Sequence, residues 1–125
     1  MNRLVFESYL LLIRIEWLMR AANLQSVHAL VRKTEITAAG SRTVRSVQDL
    51  CHVVDLACVF YLKNVLCLQR SVATTLILRQ YGHKAELVIG AQVLPFKSHA
   101  WVEVDGAVVN DKPYMCEIYQ VLERC

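Results

Sequence analysis

Residues 98–113 read SHAWVEVDGAVVNDKP, and the fold turns on how this stretch pairs with itself. Two runs rich in valine, 99–104 and 107–110, flank Asp105-Gly106. An Asp-Gly pair between apolar runs is the strongest short-range signal for a two-stranded hairpin, because both residues tolerate positive φ. Pro113 has no N–H to donate and closes the ladder. Just upstream, AELVIGAQ (85–92) is another short run with β-branched residues. The C-terminal part of the chain is therefore predicted to be an antiparallel sheet.

Working outward toward the N-terminus, the period changes from two to about three and a half. KNVLCLQRSVATTLILRQYG (63–82) predicts a helix from about Cys67 to Gln80, with Gly82 as the stop just beyond it. In residues 44–62, Val47, Leu50, Val54 and Ala57 or Cys58 recur at helical spacing. Residues 33–43 are small and polar and read as a loop. From 3 to about 32, Leu4, Leu11, Ile15, Leu18, Val27, Leu30 and Val31 form a helical region, with Asn23 a candidate break. Its apolar surface is broader than one stripe. That breadth implies burial on two sides, or contact with a partner or a membrane surface. Residues 114–124 read as a last helix or an irregular wrap. Helices followed by a small antiparallel sheet define an α+β fold.

The totals narrow the function classes. A chain of 125 residues suits a single domain, and 55% hydrophobic composition gives it ample core. A net charge of +3 and a pI of 8.7, with the basic residues scattered, do not make a nucleic-acid-binding face. Glu7, Arg14 and Glu16 interrupt the N-terminal apolar stretch, so it falls short of the ~20 apolar residues of a membrane span. Membrane association is not expected. Five cysteines, an odd number, with no secretory leader, point to free thiols in a reducing cytoplasm.

The chemistry centres on Cys67, which could be an apolar filler, a redox thiol, a metal ligand or a nucleophile. Nucleophilic catalysis by a thiol needs a base beside it and a third group fixing the base's tautomer. A helix start favours a thiolate through its unpaired amides. His99 opens the first hairpin strand and Asp111 closes the second, so whether they meet depends on register. In a two-residue turn, Val104 pairs with Ala107, Ala100 lies opposite Asp111, and His99 and Asp111 point to opposite faces. In a three-residue turn, Glu103 pairs with Ala107 and His99 faces Asp111, with Cβ atoms about 4.5–5.5 Å apart. A His99–Asp111 contact therefore demands the three-residue turn. For a metal site, the tightest group (Cys51, His52, Cys58 and Cys67) lacks a close Cys pair, so neither metal nor cofactor is expected.

With those residues in view, the segment CLQRSVATTLILRQYGHKAELVIGAQVLPFKSHAWVEVDGAVVNDKPY resembles the transglutaminase-like leader peptidases of lasso-peptide biosynthesis. These are bacterial cysteine proteases that remove the leader of a ribosomally made precursor. The resemblance covers about 45–125 and rests on a Cys opening a Leu-rich helix together with LVIGAQ, PFKSHAWVEVDG and VVNDKP. It implies a papain-like core over 45–125, preceded by an apolar helical segment at 1–33. It also implies Cys67 as nucleophile, His99 as general base and Asp111 as the orienting acid. The partners it implies are the precursor, a separate leader-recognition protein and an ATP-dependent lactam synthetase. A second oxyanion donor beside the Cys67 amide is required, and Gln92 and Asn64 are candidates.

Other readings stay beside this one. A transamidating enzyme of the same fold shares the thioester, and a precursor-presenting module would need no chemistry at all. Cys51 and Cys58 read as core, and Cys116 and Cys125 as structural or incidental. Trp101, on the strand face of His99, either shields the site or packs the core. Arg70 reads as a solvated arginine, and Lys97 and Lys112 as strand-end charges.

Overall fold

Helix α1 (Asn2–Ala21) is built from good helix formers and carries ion pairs one turn apart, Arg3 with Glu7 at 3.4 Å and Glu16 with Arg20 at 3.5 Å. The structure, a computed structural model, describes residues 2–21, 24–34, 46–61, 67–93 and 95–125. The break expected at Asn23 lies outside these, and α2 (Leu24–Lys33) follows it. Helix α3 (Val47–Phe60) starts where Ser46, in extended conformation, accepts from the Asp49 amide at 3.1 Å. That cap satisfies one orphan donor, and Asp49 complements the positive end of the helix.

Helix α4 (Cys67–Gln80) is the hub, touching α1, α2 and α3 on one side and the sheet on the other. Residues 71–79 are all buried, which is why its apolar periodicity is weak. Its buried hydroxyls are satisfied within the structure: Thr74 donates to the Arg70 carbonyl at 2.8 Å and Thr75 to that of Ser71 at 2.9 Å. The helix ends as Gly82 requires. At φ 86° it lets its own amide reach the Arg79 carbonyl and the His83 amide reach that of Leu78.

The sheet runs β3-β2-β1-β4, with β1 Ala85–Gln92, β2 Lys97–Val104, β3 Ala107–Val108 and β4 Gln120–Arg124. β1 and β2 are antiparallel, with Ala85 opposite Val104 and Gly90 opposite His99. One face gives Ala85, Leu87, Ala100 and Val102 to the core shared with Leu12, Ile15, Leu50, Val54 and Leu76. The other face packs Val88 and Trp101 against Met115, with Tyr119 and Val121 at the margin. Residues 114–124 are only briefly helical, in α5 (Met115–Ile118). The rest is β4, an edge strand on β1 that one pair of apolar residues was too short to announce.

A buried arginine ties the layers together. The Arg79 guanidinium donates to the carbonyls of Ala85 (3.0 Å), Val31, Thr34 (3.2 Å) and Cys125 (2.9 Å), which belong to β1, the end of α2 and the chain's C-terminus. Burial pulls its pKa down, yet four carbonyls hold the charge. Lysine has no fork to satisfy them. Arg79→Lys is expected to lose about 2–4 kcal/mol in urea unfolding, with the same fold by circular dichroism.

Candidate active site

Helix α4 lies along β2 and runs in the same direction. Near its start, the Ser71 hydroxyl donates to the Ala100 carbonyl at 3.0 Å; near its end, Arg79 meets Ala85, the partner of Val104. Eight helical residues advance about 12 Å and four strand residues about 13 Å, so helix and strand stay in step. Cys67, one turn before Ser71, therefore lies level with Ser98 and His99. It is exposed, at the helix N-terminus where backbone amides have no intrahelical acceptor.

The hairpin turn overturns one expectation. Asp105 (φ 52°) and Gly106 (φ 80°) form a two-residue turn of the I′ kind, with Val104 opposite Ala107 and Glu103 opposite Val108. That register was expected to separate His99 from Asp111, yet His99 Nε2 and Asp111 Oδ2 are 2.6 Å apart. The inference failed because it assumed that the strand continues to Asp111. β3 ends at Val108, and beyond the Val109 amide's bond to Val102 O the chain bends out of the ladder. At the bend the buried Asn110 side chain takes over: its Oδ1 accepts from the Val102 amide at 2.8 Å, and its Nδ2 donates to Ser71 Oγ at 3.1 Å. Once the backbone has left the sheet, alternation no longer fixes the face of Asp111.

Arg70 departs from its expected role as well. It is half-buried, pairs with Asp55 on α3 at 3.2 Å, and donates to the Asn110 carbonyl. The first turn of α4 is thus anchored to the residue that precedes Asp111. Gln92 ends β1 opposite Lys97, while Asn64 lies outside the described residues.

An aromatic wall backs the imidazole. Tyr119 stacks on His99 with centroids 5.3 Å apart, and Trp101 stands 6.1 Å away. Trp101 is fully buried, and its Nε1 donates to Glu103 at 2.9 Å. So it packs the second core while also flanking His99. Burial alone would raise the Glu103 pKa, but hydrogen bonds from Trp101 and Arg124 outweigh it and hold the carboxyl below its usual range. Gly90, opposite His99, leaves room for this wall: a Cβ there would meet Trp101 Cη2 at 2.7 Å and Tyr119 Cβ at 2.9 Å. Tyr119 had no sequence signal, because its place depends on β4. Asn110 and Ser71 had a faint one, as polar residues set among buried apolar ones.

Burial also tends to raise Asp111. The His99 and Lys112 hydrogen bonds, with the charges of His99 and Arg70, outweigh it and leave the carboxyl below the ordinary aspartate value. Asp111 is then an acceptor only, so His99 Nε2 carries its hydrogen and Nδ1 is the free basic nitrogen of the neutral ring. Burial raises the Cys51 thiol to about 11, and raises those of Cys58, Cys116 and Cys125 as well. Among the described residues no group of three His, Cys, Asp or Glu is placed to hold a metal, and no helix is long and apolar enough to cross a membrane.

The depressed Asp111 pKa gives stability that is present above the unfolded value of about 3.9 and lost as pH falls through the folded one. Wild type is expected to be more stable than Asp111→Asn at about pH 5 by a margin that shrinks as the pH falls further, through the folded Asp111 value. Parallel urea titrations check this, and a margin independent of pH contradicts it.

Comparison with known proteins places this geometry in context. The family model described as "Transglutaminase-like superfamily" matches residues 9–124. The chain is 41% identical over 73 residues to the microcin J25-processing protein McjB of Escherichia coli, covering 56% of this chain and 35% of that protein. The chain thus corresponds to about a third of the relative's length. No solved structure matches it.

Proposed function

The chain belongs to the transglutaminase-like superfamily, and from that premise we propose that it is a cysteine peptidase that removes the leader of a lasso-peptide precursor, with Cys67, His99 and Asp111 as its triad. The observation that carries this reading is the 2.6 Å His99–Asp111 contact, at the end of the sheet that α4 reaches with Cys67. The relative named for processing microcin J25 supports the substrate class.

In this mechanism His99 Nδ1 takes the Cys67 proton, and the sulfur attacks the scissile carbonyl carbon. The Cys67 amide, which has no acceptor within its own helix, donates to the developing oxyanion. The C–N bond breaks, and the imidazolium returns its proton to the leaving amine. Water, deprotonated by the same nitrogen, then attacks the thioester and frees the thiol. Asp111 holds the ring's tautomer throughout and stabilises the imidazolium. A separate recognition protein presents the leader, and the lactam synthetase takes the freed core in the reducing cytoplasm.

The test is cleavage of the precursor by the purified chain with its recognition protein, followed by mass spectrometry. Cys67→Ala and His99→Ala are expected to reduce leader removal by at least ~10³-fold, with the two products of wild type summing to the precursor plus one water. Undiminished cleavage by Cys67→Ala contradicts the reading. Products joined to an added amine in preference to water would assign transamidation instead.

A further inference from the structure

Helix α1 carries a second apolar face. Its buried side is Leu4, Ser8, Leu12 and Ile15, whereas Phe6, Leu10, Ile13 and Trp17 are 62, 48, 36 and 70% exposed. At 3.6 residues per turn the two sets lie about 180° apart. The outer set is therefore a separate stripe, and its spacings of 4, 3 and 4 residues are those of the a and d positions of a coiled coil.

We propose that this stripe is a self-association surface, on which α1 of a second copy of the chain packs antiparallel about a two-fold axis. Antiparallel pairing centred between Leu11 and Leu12 sets Phe6 against Trp17 and Leu10 against Ile13, each twice, aromatic against aromatic and aliphatic against aliphatic. The charges select the same arrangement. Glu7 and Arg14 are one heptad apart on a single rim of the stripe, beside a groove of about 310 Å³ that they line with Leu10, Leu11, Ile77 and Gln80. Antiparallel packing brings each Glu7 to Arg14 of the second copy, whereas parallel packing brings neither to its complement. Glu7 already pairs with Arg3 in its own helix, and Arg3, one heptad before Leu10, stands at the outer end of the same stripe.

The neighbouring surface extends the contact. Tyr61 donates to Glu16 at 2.7 Å and its ring lies 5.3 Å from that of Tyr9, which draws the end of α3 to the other rim of the stripe. Val59 and Phe60 are exposed there, at 76 and 69%. A lipid surface fits less well, since the carboxylates of Glu7 and Glu16 stand on opposite rims. The stripe is about 16 Å long, so the contact is small and the dimer reversible, with a Kd on the order of micromolar.

Sedimentation equilibrium of the full chain from about 1 to 100 µM tests this. A monomer–dimer equilibrium is expected, weakened at least tenfold by Trp17→Glu with the circular dichroism unchanged. Glu7→Lys and Arg14→Glu should each weaken it, and the double variant should return to within a few-fold of wild type. A wild type that stays monomeric overturns the proposal, and so does a dimer indifferent to Trp17→Glu or a double variant no better than the singles. A monomeric wild type that floats with vesicles of anionic phospholipid would assign the stripe to a membrane surface.

Discussion

One buried amide side chain organises the region on which the function depends. Asn110 stands where the hairpin's second strand gives out, and its Oδ1 replaces the ladder carbonyl that Val102 N–H would otherwise lack. With its other end it holds Ser71, and through its backbone carbonyl it receives Arg70. Helix α4, the hairpin and the bend carrying Asp111 are thereby fixed to one another at one point. A buried N–H left without an acceptor costs about 1–3 kcal/mol, so the bend is held in place and Asp111 has little freedom beside His99.

Behind the imidazole, the second core supplies rigidity of another kind. Tyr119 and Trp101 pack where Gly90 offers no side chain, and Glu103 fixes the indole while Arg124 neutralises the carboxylate at 2.5 Å. β4 has two roles in this arrangement. It extends the sheet, and it delivers Tyr119 to the face of His99 and Arg124 to Glu103. An imidazole held by Asp111, Tyr119 and Trp101 loses little entropy on reaching the geometry that the proposed base role requires.

How much of this was legible in the sequence follows from the range of the forces involved. Local signals were reliable: Gly82 ended α4 and Asp105-Gly106 made the turn, each through interactions within six residues. The α+β order of elements could be read from periodicity, and the family from the resemblance carried by the motifs around Cys67, His99 and Asp111. Register arithmetic failed at Asp111, because a side chain 39 residues from its helical partner decides where the strand stops. β4 was missed for a related reason. Its pairing with β1 is a tertiary contact, and the pattern of QVLER alone does not distinguish an edge strand from a wrap. Arg70 and Arg79, both arginines on α4, differ in what folding brings to them: Asp55 and the Asn110 carbonyl for the first, four carbonyls for the second.

The central claim is that Cys67 is the reacting thiol and that His99 acts on it. The direct measurement is the rate at which each of the five cysteines is alkylated by iodoacetamide at neutral pH, mapped by peptide mass spectrometry, in wild type and in His99→Ala. Cys116 is the internal control, since it is exposed like Cys67 but lies beside Glu103, with its thiol pKa raised by burial and by that carboxylate. The account predicts that Cys67 reacts fastest of the five and slows toward the rate of Cys116 when His99 is removed. A Cys67 no faster than Cys116, and indifferent to His99, would contradict it.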